Sequence, residues 1–346
     1  MKPEMKKFSK ISKLSTAVKI IQHQHRFVDL AEDGTAIYDR NIKLPTIKLF
    51  GTVKLHGTNA AVQQLPDGTI KFQSRTKYIT IENDNHGFAF WASTKGNELT
   101  EIFEHYRNEF NISDDSTLTI YGEWAGKGIQ KNVAISEHEK SFYIFAIKES
   151  SEEDIYLNMS SVEHRDNPVS GIYNLWDQTK FPVYAVFLDL NNPKLVQNDL
   201  ISLTDSVEEE CPVAKYFGYS GIGEGVVWVN DTSEFRVKIK GDKHTGKSKP
   251  KVRRNNIVDL EKLSSVNEFV DRFVDIERLE QGWQMMVELG YNNEPKTTGT
   301  FIRWLIDDII SEEIDTLQAS GLEPKDINSP ISRVASKWYL NKLDKI

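Results

Sequence analysis

Cysteine is nearly absent: Cys211 is the only one in 346 residues. That excludes an intramolecular disulfide and any cysteine-rich zinc site. No apolar run is long enough for a membrane span or a signal peptide, and the basic start Met1-Lys2-Pro3-Glu4-Met5-Lys6-Lys7 leads into none. These absences predict a reducing, cytoplasmic setting, with Cys211 as a small core residue. His23 and His25 have no further ligand residues around them and read as surface side chains, not a metal site. An excess of positive charge is also missing, because the formal net charge is -8. No internal repeat is visible.

What is present is a globular composition, 39% hydrophobic and 10% aromatic, long enough for one substantial core and a second, smaller one. The charge is unevenly placed. From Arg236 to Arg254 there are nine Lys or Arg residues against one acid, Asp242, while acids collect at 205–210 and 307–315. A basic stripe on an acidic protein can bind phosphates locally while the remainder discourages non-specific coating.

Taken in order, Ser15 to Gln24 suits a short helix, and Glu32-Asp33-Gly34 is a turn signal. From Ile47 the pattern is of strands. Asn59 to Leu65 pairs with Thr69 to Arg75 across Pro66-Asp67-Gly68. His86 to Phe110 has helical spacing broken near Gly96, and Thr117–Glu123 and Ser141–Lys148 alternate as strands. Further strands are expected at 182–190, 225–229 and 235–240, with a helix at 194–209. This mixture is α+β with antiparallel sheets and flanking helices. The composition shifts at 241–256 to a basic linker, and 257–346 reads as a small all-helical domain. There, Ser265 to Glu268 is a capping box opening a helix with Phe269, Phe273 and Ile276 on one face. Phe301, Leu305, Ile309 and Ile310 mark a helix closed near Gly321, and Ser329-Pro330 reads as an N-cap and first helical residue. The domains are therefore 1–250 and 257–346.

The stretch that gives the chain a chemistry is Lys54-Leu55-His56-Gly57-Thr58-Asn59, between two runs of β character. A lysine at a strand end, with a glycine three positions on, suits an amine that must reach a phosphate. Alone that motif is common. Here it is followed in order by Tyr121-Gly122-Glu123-Trp124-Ala125-Gly126-Lys127-Gly128-Ile129-Gln130-Lys131-Asn132-Val133, by Phe142 to Ile147, by Gly223-Glu224-Gly225-Val226-Val227 and by Arg236-Val237-Lys238-Ile239-Lys240. The series resembles the covalent nucleotidyltransferase superfamily. In detail it is similar to the RNA ligase 2 family of phage RNA ligases and kinetoplastid RNA-editing ligases.

The resemblance implies an adenylyltransferase domain of ATP-grasp-like ligase type over 1–250. It implies an ATP-dependent RNA ligase that seals 5′-phosphate and 3′-hydroxyl RNA ends, nicks in duplex RNA among them, through a lysyl-AMP on Lys54. An amine attacks only when neutral, and Lys238 and Lys240, on one strand face, could favour that state and neutralise charge on the α-phosphate. Family roles carried onto this chain put Glu123 and Arg75 at the ribose and phosphate end of the nucleotide and Phe145 on the adenine. They put Glu224 on a divalent cation, Mg2+ or Mn2+, and His56, Gly57 and Asn59 near the phosphates. Val53 stands where a glutamate often reads the adenine amino group, leaving a backbone carbonyl to substitute. Ala146 replaces a frequent aspartate, and Val226-Val227-Trp228-Val229 lacks a basic residue often found there. Lys243, Lys247, Lys249, Lys251, Arg253 and Arg254 are candidates for RNA-backbone contacts, and the helical domain for gripping RNA beside a nick. A DNA ligase, a GTP-using capping enzyme and a non-catalytic nucleic-acid-binding protein are the competing readings. Capping enzymes and DNA ligases tend to carry aspartate for His56 and arginine for Asn59, and binding alone would not need Lys54, Glu224, Lys238 and Lys240 together.

Overall fold

A computed structural model describes residues 5–9, 11–12, 14–31, 35–233, 235–241, 266–319 and 322–343. The chain forms two compact units that divide after Gly241.

The first unit opens with α1 (Leu14–Arg26) and a hairpin of β1 (Phe27–Leu30) and β2 (Ala36–Tyr38). Then follow β3 (Thr46–Lys54), β4 (Thr58–Gln64), β5 (Ile70–Ser74), β6 (Tyr78–Ile79), α2 (Phe88–Ser93) and α3 (Gly96–Phe110). Next come β7 (Thr117–Ala125), β8 (Ser141–Ser150), β9 (Asp154–Tyr156), β10 (Ile172–Asn174) and β11 (Val183–Asp189). The unit closes with α4 (Gln197–Glu209), α5 (Pro212–Tyr216), β12 (Gly225–Val229) and β13 (Arg236–Lys240). One sheet of seven strands runs β10-β8-β7-β4-β5-β6, with β9 on β8; a second of four runs β11-β3-β12-β13.

The local chemistry explains these elements. The turn between β4 and β5 closes with Leu65 and Thr69 bonded through their backbones, while the Asp67 carboxylate accepts from Thr69 N at 2.9 Å. Gly68 takes the positive φ of 79° that this turn needs. Asp84 accepts from Ala89 N and Phe90 N at 2.7 and 2.9 Å, capping the first turn of α2. In α3, Leu99, Ile102, Phe103 and Tyr106 recur at helical spacing and are buried against Ala60, Val62, Leu118, Ile120 and Ile144 of the large sheet.

On β3 the alternation splits two tasks. Leu49 and Val53 face a core with Val226, Trp228 and Val237, backed by Leu200 and Val207 of α4. Gly51 sits among them because a Cβ there would lie 2.8 Å from the Trp228 ring. Thr52 and Lys54 point to the other face.

Among the described strands pairing is antiparallel except for β10, which runs parallel to β8, with Ile172 opposite Phe142. The parallel sense arises because a long connection after β9 brings β10 to the free edge of β8.

The second unit is helical: α6 (Val266–Phe273), α7 (Ile276–Glu288), α8 (Thr298–Ala319) and α9 (Pro324–Leu343). Its core holds Phe269, Leu279, Met286, Phe301, Leu305, Ile309, Ile331 and Tyr339. Two sequence expectations are corrected here. Ile276 does not join Phe269 and Phe273 on one face: Asp275 accepts from Arg278 N at 2.7 Å and starts a new helix, leaving Ile276 60% exposed at its first position. Ser329-Pro330 does not open a helix either. Pro330 lies inside α9, which begins at Pro324, with Asp326 accepting from Glu323 N at 2.7 Å. Ser265 and Gly321 lie outside the described residues.

Candidate active site

The site grows from one row of strand pairing. Lys54 ends β3 opposite Gly225 of β12, and Gly225 in turn is opposite Lys240 of β13. Directly opposed residues share a face, so Lys54 and Lys240 both project on one side, with a residue lacking a side chain between them. Glu224, one residue before Gly225, fills the gap. Its carboxylate accepts from Lys54 Nζ at 2.5 Å, lies 3.0 Å from Lys240 Nζ and 3.4 Å from His56 Nδ1, and is only 2% exposed.

Burial by itself pushes the Glu224 carboxyl up, but Lys54, Lys240 and His56 outweigh it and hold it well below the ordinary value of 4.5. The charged carboxylate is thus the form this cluster is built around.

The turn after Lys54 is tied to the large sheet. Gly57 N donates to Glu123 Oε1 at 2.9 Å, and Gln130 Nε2 donates to Gly57 O at 3.2 Å. A Cβ on Gly57 would press on the Trp124 carbonyl and lie 2.8 Å from Ala125 Cβ, so the close approach needs glycine. Asn59 is paired with Glu123 across β4 and β7, which puts their side chains on one face. Burial, followed by the pull of Lys54 and the push of Glu224, leaves the Glu123 carboxyl up at about 7; Gly57 N–H and the exposed Arg75 pull it down. Two carboxyls that both feel Lys54 thus have opposite tendencies.

Lys238 lies two residues from Lys240 on the same strand face, opposite Val227. Phe145 is half-buried at a bulge in β8, where Tyr121 and Gly122 of β7 pair with Ala146 and Ile144. Its carbonyl accepts from Trp176 Nε1 at 2.8 Å. Val53 is 2% exposed and turned to the core on the face opposite Lys54, so it offers a ligand only its backbone. Lys54, His56, Gly57, Asn59, Arg75, Glu123, Glu224 and Lys240 are therefore brought together by six strands and two turns. The basic stripe of Lys243, Lys247, Lys249, Lys251, Arg253 and Arg254 lies outside the described residues.

Among the described residues no group of three or more His, Cys, Asp or Glu side chains is placed to hold a metal ion. The donor chemistry still fits a hard cation bound jointly by protein and phosphate. Glu224 is an acceptor-only carboxylate kept ionised, and such cations take few protein oxygens where phosphates complete the shell. No helix among the described residues is long and apolar enough to cross a membrane.

One group was missed in the sequence. Phe8, Tyr121, Tyr156 and Arg236 form an interlocked cluster beside Phe145: the Phe8 ring lies 5.2 Å from Tyr121 and 5.0 Å from Phe145, and the Arg236 guanidinium is 3.4 Å from the Tyr156 ring centroid. The alternation Arg236, Lys238, Lys240 could have drawn Arg236 in; nothing local marks Phe8.

The arrangement defines a class: an α+β domain with two large, mainly antiparallel sheets, with a strand-end lysine held on a buried, ionised glutamate and flanked by a second lysine. Residues 47–240, more than half of the chain, match the family described as RNA ligase, and the chain belongs to that family. No protein with a curated description matches it. Among solved structures it is similar to the Naegleria gruberi RNA ligase bound to PPi, at 16% identity over 69% of this chain and 57% of that one, with a TM-score of 0.41. It is also similar to mutants of that ligase with ATP and Mn, one at 14% identity, 68% and 56% coverage and a TM-score of 0.39. Another has 16% identity, 69% and 57% coverage and a TM-score of 0.42. The chain spans just over half the length of those structures.

Proposed function

We propose that the protein is an ATP-dependent RNA ligase working through a covalent lysyl-AMP on Lys54. The observation that carries this is the Lys54–Glu224–Lys240 cluster at 2.5 and 3.0 Å, set inside the segment that matches the RNA ligase family.

In the first step the neutral Lys54 amine attacks the α-phosphorus of ATP. A nitrogen–phosphorus bond forms, the bond to the β-phosphate oxygen breaks and pyrophosphate leaves with that electron pair. The ammonium proton passes to solvent, since a carboxyl held as low as Glu224 is a poor acceptor for it. Glu224 positions Lys54 through its hydrogen bond, and Lys240 and Lys238 offset the negative charge that builds on the phosphate. Glu123 accepts from the ribose hydroxyls while holding the Gly57 turn, and Phe145 offers its ring face to the adenine. A divalent cation, Mg2+ or Mn2+, held by Glu224 with Glu123 nearby, would supply charge neutralisation on the phosphates. An oxygen of the 5′-phosphate of an RNA end then attacks the adenylyl phosphorus, the Lys54 nitrogen–phosphorus bond breaks and the amine takes back a proton. A 3′-hydroxyl, giving its proton to solvent, next attacks the 5′-phosphorus and expels AMP with the electron pair of the broken phosphoanhydride bond. The basic residues 243–254 and the helical unit are assigned to the RNA backbone beside a duplex nick.

The test is incubation with labelled ATP or GTP and Mg2+, followed by detection of labelled protein in the wild type and in Lys54→Ala. Label from ATP, lost in Lys54→Ala, is expected. Label from GTP alone would favour capping, and none from either would favour a binding module. Sealing assays on nicked RNA, nicked DNA and single strands then fix the substrate.

A further inference from the structure

The segment before α1 does more than lead into it. Residues 5–9 and 11–12 run across the face of the large sheet that carries Glu123, then join the small sheet. The Tyr121 hydroxyl donates to Lys6 O at 2.5 Å, Lys148 Nζ donates to Lys7 O at 3.1 Å and Ser9 N donates to the Tyr156 hydroxyl at 2.8 Å. Ser12 then forms a parallel bridge with Val237, donating to Arg236 O at 3.1 Å. Between these anchors the Phe8 ring meets three rings edge-on or tilted: Phe145 at 5.0 Å, Tyr121 at 5.2 Å and Tyr156 at 5.7 Å. The Arg236 guanidinium lies 5.1 Å from it on the side of the small sheet.

Register places this segment at one end of the site. On β7, Tyr121 is two residues from Glu123 on the same face, and on β13, Arg236 is two and four residues from Lys238 and Lys240 on the same face. Two strand residues advance about 6.6 Å, roughly the reach from a ribose to the far edge of its base. A nucleotide with its α-phosphorus at Lys54 and its ribose at Glu123 therefore has its base directed to Phe145 and stopped at Phe8. Arg236 is 6% exposed and lies against the Tyr156 ring, and among the described residues its buried Nη2 has no hydrogen-bond partner.

We infer that Phe8, backed by Arg236, is the wall that closes the base end of the nucleotide site and sets which base is accepted. This rests on the proposed use of Phe145 as the base platform. The four backbone anchors, at Lys6, Lys7, Ser9 and Ser12, make the segment a fixed wall and not a plug that must leave before ATP enters.

The experiment measures lysine adenylylation in the full chain with Phe8→Ala, Phe8→Leu and Tyr121→Phe, over a range of ATP and GTP. Loss of an aromatic contact to a base costs about 1–3 kcal/mol, or roughly 5- to 150-fold. The expected result for Phe8→Ala is a KM for ATP raised about tenfold or more, with the loss falling on KM and not kcat, and a reduced preference for ATP over GTP. Phe8→Leu keeps the apolar bulk and should fold as the wild type does, yet show the same loss of base preference. Tyr121→Phe, which keeps the ring and removes the hydroxyl that bonds Lys6 O, should raise KM less. Unchanged KM and base preference in a folded Phe8→Leu would overturn the inference, and so would a lowered KM, which would make Phe8 an occupant of the base site. Wild type that takes no label would instead overturn the functional reading beneath it.

Discussion

Lys54 and Glu224 stand 170 positions apart in the chain and meet at 2.5 Å. The pairing register Lys54–Gly225–Lys240 brings the two lysines to one face, and Glu224 reaches the gap between them across Gly225, whose φ of 149° departs from regular strand alternation. Position and charge are thus set by one strand register, which a one-residue slip would destroy.

Replacing Glu224 by Gln keeps the shape and removes the charge. Lys54 and Lys240 would then share a face without the Glu224 charge that both now contact. The expected cost is about 1–3 kcal/mol of stability and a fall in Lys54 adenylylation of ~10²-fold or more. The pH dependence carries a sign. The folded carboxyl lies well below 4.5, so its stabilisation is present above 4.5 and is lost as the pH falls towards the folded value. Urea unfolding of wild type should therefore weaken below pH 4.5, and the Glu224→Gln curve should be flatter there.

Glu123 predicts the opposite slope in another window. Its folded carboxyl is raised to about 7 from 4.5, chiefly by burial, so between those values the folded state holds more protons than the unfolded one. Stability then decreases as pH rises through that window, by at most ~3 kcal/mol, and levels off above 7. Carboxyl NMR should show one glutamate titrating near neutrality, and Glu123→Gln should abolish both that signal and the slope. A Glu123 that titrates near 4.5 would contradict this.

The strand-turn-strand at Pro66-Asp67-Gly68, the alternation on β13 and the motif row from Lys54 to Lys240 were legible because each is local or periodic. The convergence of Glu224 on Lys54 was implied only through the resemblance; spacing alone could not give it. Phe8 was not legible at all. An aromatic residue among lysines and serines has no period, and its place depends on β7, β8 and β13, none of them near in sequence. Strand β1 escaped for a related reason: Phe27, Val28 and Leu30 are exposed, so no buried alternation marks them. Pro330 misled because proline favours a first helical turn, while the packing of Ile327, Ile331 and Ala335 extends α9 back past it.

Two glycines separate chemistry from folding. A Cβ on Gly57 would collide with backbone at the Trp124 carbonyl, which cannot move without disturbing the β4–β7 pairing. Gly57→Ala should displace the turn, lose the bond to Glu123 and reduce adenylylation about tenfold or more at temperatures where the protein remains folded. A Cβ on Gly51 would instead press on the Trp228 ring at 2.8 Å, on the face away from Lys54. Gly51→Ala should lower the melting temperature, by an overpacking cost of about 1–3 kcal/mol, and leave the adenylylation rate of the folded fraction near wild type. Equal effects of the two substitutions on rate would show that the Gly57 turn has no special link to the site.

The helical unit has its own buried charge, and it predicts how stability there should respond. Arg278 is surrounded by Asp308 at 3.4 Å, Glu312 at 2.9 Å and Glu313 at 3.6 Å, with its side chain 13% exposed. Arg278→Met fills similar volume but leaves three carboxylates facing one another in a half-dry setting. Removing one partner of such a network typically costs about 3 kcal/mol or more, because the remaining charges lose the cation they share. At neutral pH the helical unit should therefore unfold at a lower temperature, and the difference from wild type should narrow in acid, where the carboxylates take up protons and the repulsion disappears. Lys54 lies in the other unit, so labelling of the variant by ATP should persist at temperatures where sealing of nicked RNA has fallen. Thermal unfolding at pH 7 and pH 4, read beside the two activities, checks each part. A deficit that is the same at both pH values would mean that Arg278 acts through packing of its aliphatic stem and not through its charge.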